Sequence, residues 1–93
     1  MINLSEIPLS EDCLIRINES VLNYWRMARI EVNASTGTDS NGTVLIDVTI
    51  HQKELVNETI LSSDELIIRG QGIFDKCIPN DYDIRYNPII YKQ

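Results

Sequence analysis

His51, Cys13 and Cys77 are the side chains best suited to nucleophilic or metal chemistry, and their number limits both. A nucleophile and base pair would have to use His51, the one histidine. Alternation places it on the solvent side at the end of a strand, where Asp47 and Glu54 are candidate neighbours but no nucleophile is signalled. Cys13 and Cys77 lie far apart in sequence and lack a paired spacing, so a zinc site would need carboxylates to complete it. Cys13 falls in the first turn of an expected helix, where the dipole favours a thiolate. Both cysteines read more simply as small buried or half-buried hydrophobes.

The remaining motifs have plain explanations. Gly37-Thr-Asp39-Ser-Asn41-Gly42 offers Asp39 and Asn41 at calcium-ligand spacing, but Gly37 and Val48 then occupy the first and last ligand positions. A hairpin loop accounts for the same residues. Gly70-Gln-Gly72 lacks the third glycine of a dinucleotide fingerprint and is read as a bend or bulge. Asp75, Asp81 and Asp83 are read as a solvated turn. No catalytic, cofactor or metal site is expected, and the chain is read as a non-enzyme.

The elements follow from periodicity. Ser10 is an N-cap, Glu11 and Asp12 favour a helix start, and Leu14, Ile17, Val21, Trp25 and Ala28 form an apolar stripe. This predicts a helix over residues 11–27, with a short strand over 13–17 as the alternative. Tyr24 and Trp25 are adjacent, so one can be core while the other is exposed. Ala28, Ile30, Val32 and Ala34 then alternate with polar residues, as do Val44, Ile46, Val48 and Ile50. These predict a hairpin with strands near 28–34 and 43–51, joined by the turn-rich stretch 35–42. Residues 54–61 are expected to form a further strand or to continue the previous one past a bulge, and a short strand is expected over 65–69, broken by Gly70-Gln-Gly72. Tyr82, Ile84 and Tyr86 predict a last strand or extended arm, placed at a sheet edge or outside the sheet by Pro88. Residues 1–9 read as an extended lead-in.

A chain of 93 residues, 43% of them hydrophobic, fits a single small domain over residues 1–93. The fold class expected is α+β: one N-terminal amphipathic helix packed on a mainly antiparallel sheet of about four to six strands. Without a secretory signal or an apolar run of membrane-spanning length, and with two cysteines read as reduced thiols, a cytoplasmic location is expected.

The net charge of −6 disfavours direct binding to nucleic acid or to an anionic membrane, where cations must neutralise phosphates. It suits a basic partner protein, including one whose usual ligand is nucleic acid. Residues 35–69 hold Asp39, Asp47, Glu54, Glu58, Asp64 and Glu65 against Lys53 and Arg69. Tyr82, Tyr86 and Tyr91 add aromatic anchors of the kind enriched at interfaces. These nine residues form the candidate partner-binding set. Small, acidic, motif-free chains of this kind are similar in profile to phage anti-defence proteins and toxin-neutralising immunity proteins. The expected function is therefore inhibition of a partner protein. The alternative is a structural subunit of a larger assembly, such as a virion component.

Overall fold

A computed structural model describes residues 7–92 of the chain. The lead-in expected over residues 1–9 therefore lies mostly outside the described residues. The elements run α1 (Glu11–Ala28), β1 (Ile30–Thr38), β2 (Val44–Gln52), α2 (Ser63–Phe74) and β3 (Asp83–Ile89).

The helix α1 begins where the sequence places its start. Ser10 accepts a hydrogen bond from the Cys13 backbone N–H at 3.1 Å, and Glu11 and Asp12 occupy the first turn. It ends at Arg29, whose left-handed backbone (φ 51°) turns the chain directly into β1. Its buried face differs from the expected stripe. Cys13 and Ile17 are buried, and Val21, Tyr24 and Ala28 pack beside them, while Leu14 and Trp25 stand 38% and 36% exposed. The helix carries two overlapping apolar rows that share Ile17, Val21 and Ala28, and periodicity alone does not choose between them.

The hairpin forms as expected but is longer. β1 and β2 pair antiparallel from Ile30 opposite Gln52 to Thr38 opposite Val44. Ser35 to Thr38, read as loop, continue the strand, because Asp39 closes the turn on its own. Its carboxylate accepts from the backbone N–H groups of Asn41 and Thr43, each at 2.9 Å.

The segment 63–74 corrects two expectations. The predicted strand over 65–69 is helical, and so are the glycines taken to break it. Ser62 and Glu65 form a reciprocal capping box, so the residues read as a turn start a helix. Leu66, Gly70, Ile73 and Phe74 then form one buried face. A Cβ on Gly70 would stand 2.3 Å from Ile50 Cδ1 and 3.0 Å from the Tyr86 ring, so this glycine lets helix and sheet approach closely. Residues 54–61 are not a strand either. They form a loop with one isolated bridge, Val56 to Thr59, held by the buried Gln52. The Gln52 amide donates to Thr59 O and accepts from Leu61 N, both at 2.9 Å.

The described residues give three strands in the order β1-β2-β3, and β3 runs parallel to β2. The mainly antiparallel sheet of four to six strands is thus corrected to a three-stranded mixed sheet within an α+β fold. The parallel pair is a consequence of α2, which carries the chain back along the sheet before β3 begins. Pro88 lies within β3 at the sheet edge. Both helices pack on one face, over Ile30, Val32, Ala34, Ile46, Val48 and Ile50. No helix among the described residues is long and apolar enough to cross a membrane.

Candidate protein-docking surface

Strand alternation sorts the remaining side chains onto the face that the helices leave open. In register across β1, β2 and β3 these are Glu31, His51 and Ile89; Asn33, Thr49 and Asn87; Ser35, Asp47 and Arg85; and Gly37, Leu45 and Asp83. Asp47 is the centre of this face. Arg85 donates to both its oxygens, from Nε at 3.2 Å and from a terminal nitrogen at 2.7 Å, and the Asn87 amide donates as well. The guanidinium, first, and the amide hold the Asp47 carboxyl below its ordinary range, against a smaller opposing effect of burial. His51 is half-buried on this face. No group of three or more His, Cys, Asp or Glu among the described residues is arranged to hold a metal.

The other predicted residues are dispersed. Asp39 closes the hairpin at one end of the sheet. Glu54 and Glu58 lie in the connection after β2, and Asp64 and Glu65 in the first turn of α2, all at the opposite end. Glu54 pairs with Arg29 at 3.5 Å, and Glu65 is engaged in the helix cap. Among the described residues Glu58 and Asp64 carry their charge without an ion pair. Tyr86 points to the helix side, where its hydroxyl donates to Asp75. Burial, and then that carboxylate, push its pKa up. Tyr82 shares a hollow with Tyr86, whereas Tyr91 lies past the far end of β3 beside His51 and Lys92.

A different surface lies outside the predicted residues. Asn18, Val21, Leu22 and Trp25 of α1 and Ile30, Glu31 and Val32 of β1 line a groove of about 410 Å³. Leu22 is 46% exposed at its rim. Arg29 lies over the Trp25 ring at 5.7 Å and steadies it.

Along this groove runs the outer edge of β1. Lys53 N donates to Arg29 O at 2.9 Å and Asp39 N to Thr43 O at 3.0 Å, which fixes the phase of the antiparallel ladder. In that phase the odd-numbered residues of β1 bond to β2, and the N–H and C=O groups of Ile30 and Val32 point outward. No described strand lies beyond them. Edge strands are ordinarily protected by lysine, proline or a bulge. β3 has Pro88, whereas β1 has neither residue type and keeps an unbroken register with β2. The available signal in the sequence was Leu22, an apolar residue outside the predicted stripe and one helical turn from Trp25.

Comparison with protein-family models, curated proteins and solved structures gave no match. The functional reading therefore rests on the surface itself.

Proposed function

We propose that this chain is a non-enzymatic, acidic protein-binding module that inhibits or neutralises a basic partner protein, in the manner of phage anti-defence or immunity proteins. The observation that carries this reading is the apolar groove along the unprotected edge of β1. Backbone donors and acceptors of β1 that face away from β2 suit an extended segment of another protein, which adds to the sheet as a fourth strand. Apolar side chains of that segment enter beside Leu22 and Trp25, and the one charged lining residue is Glu31, which pairs with Lys53 at 3.9 Å. The net charge of −6 supports the choice of a basic partner. Asp39, Asp47, Glu54, Glu58, Asp64 and Glu65 act in this reading as a diffuse field that speeds encounter, and the groove supplies the contact. Tyr82, Tyr86 and Tyr91 are proposed as secondary anchors.

The test begins with capture of the partner from the native host, its identification by mass spectrometry, and calorimetry on the purified pair. Trp25→Ala and Leu22→Asp are expected to weaken binding by about tenfold or more, the size of an anchor at the centre of an interface. Reversal of Glu31, Glu58 and Asp64 is expected to slow association and flatten its salt dependence. Unchanged affinity in both groove variants would remove the proposal. The alternative, a subunit of a larger assembly, draws on the same edge, since two antiparallel β1 strands are self-complementary. Light scattering separates them: a symmetric oligomer at micromolar concentration favours the assembly, a monomer the inhibitor.

A further inference from the structure

Cys13 and Cys77, separated by 64 positions in sequence, meet where the first turn of α1 lies against the turn that follows α2. The Cys77 thiol donates to the Cys13 carbonyl oxygen, with Sγ and O 4.0 Å apart. Both are free cysteines, and they differ in access: Cys13 is buried and Cys77 half-buried. Cys77 lines an open groove of about 290 Å³ together with Arg16, Glu19, Asn23, Gly72 and Lys76.

We propose that this pair is a thiol modification site, at which Cys77 exchanges with an anionic small-molecule disulfide and then closes an intramolecular disulfide with Cys13. The order follows from access and charge. Arg16 and Lys76 on the groove wall, two cations against the one acid Glu19, favour an anionic reagent of the oxidised-glutathione class. Cys13 cannot lead, because burial, and then its contact with Cys77, push its thiol up to about 12, with Arg16 opposing weakly. In the first step the Cys77 thiolate attacks one sulfur of the reagent. The reagent's S–S bond breaks, a mixed disulfide forms at Cys77, and the departing thiolate takes up the proton that Cys77 lost. In the second step the Cys13 sulfur, giving up its proton, attacks the Cys77 sulfur and expels the second small thiolate, which accepts that proton. Two electrons pass from the protein sulfurs to the reagent, and two small thiols are released. The crosslink staples the start of α1 to the end of α2 across a long chain segment, which restricts the unfolded chain.

The experiment treats the full-length folded protein with oxidised glutathione and follows intact mass, thiol labelling and peptide maps. The expected product is lighter by two hydrogens, has no labelled thiol, and maps to a Cys13–Cys77 link. Cys13→Ser is expected to stop at a glutathione adduct on Cys77, and Cys77→Ser to leave Cys13 unmodified. The oxidised protein is expected to melt higher by about 5 °C or more. Should Cys13→Ser fail to fold, Cys13→Ala serves in its place, keeping the packing volume nearer to that of the thiol. The proposal is overturned if the wild-type chain stops at the Cys77 adduct, if Cys13 reacts first, if the link forms only after denaturation, or if the melting temperature does not rise.

Discussion

Tyr86 shows how much one side chain can be asked to do. Its ring packs against α2 beside Gly70, and its hydroxyl donates to Asp75 in the turn after that helix. Its pKa in the folded state is raised, by burial first and by Asp75 second. A tyrosine held above its unfolded value of about 10 contributes stability that is complete below that pH and is lost as pH rises through the folded value. Alkaline unfolding should therefore set in above pH ~10. Tyr86→Phe is expected to cost about 0.5–1 kcal/mol at neutral pH, for one partly exposed hydrogen bond, and to remove this residue's share of the alkaline decline. Urea titrations of both proteins across pH 7–11 measure the two effects. Asp47 works in the opposite sense. Its lowered pKa gives stability present above the ordinary carboxylate value and lost as pH falls through the folded one.

At the scale of elements, the loop between β2 and α2 depends on a residue outside it. Gln52, 1% exposed at the end of β2, bonds to Thr59 O and Leu61 N and so gives backbone partners to a segment that forms no ladder of its own. Gln52→Leu puts an apolar side chain of similar size in its place but leaves the buried Leu61 N–H unpaired. The expected loss is about 1–3 kcal/mol by urea unfolding, with faster amide exchange at Leu61. Gln52→Glu would retain the acceptor for Leu61 and lose the donor to Thr59, so the two variants separate the two bonds. A loop built in this way can carry Glu54 and Glu58 at the surface while its last residues remain tied to the sheet.

For the whole molecule, the sheet is unequally finished at its two sides. β3 ends the sheet with a proline, whereas on the outer edge of β1 the backbone groups of Ile30 and Val32 face no described strand and lie buried beside an apolar groove. Hydrogen exchange should show this as an alternation along one strand. The amides of Ile30 and Val32 are expected to exchange at least about tenfold faster than that of Glu31, whose N–H bonds to β2. Binding of a partner strand at the edge should then slow Ile30 and Val32 selectively. Uniform protection along β1 in the free protein would show that the edge is already covered.

The hairpin, the N-terminal helix and an extended last segment interrupted by a proline were legible in the sequence because each depends on local signals. Period-two alternation marked Val44 to Ile50, a cap and a 3.6-residue stripe marked α1, and a proline marked the end of the ladder in β3. The second helix was missed because its glycines read as breaks. Gly70 is there for a close approach to Ile50 and Tyr86, a contact between segments that no local window contains. That error also fixed the wrong sheet, since a helix between β2 and β3 is what makes their pairing parallel. The candidate site divides in the same way. Composition and charge could nominate acids and tyrosines, but facing direction is a property of the packed sheet, which put Asp47 on the open face and turned Tyr86 toward the helices. The choice between Tyr24 and Trp25 as the core residue of α1, the groove along β1 and the meeting of Cys13 with Cys77 were likewise decided by tertiary packing, because each joins residues whose neighbourhood exists only after the chain has folded.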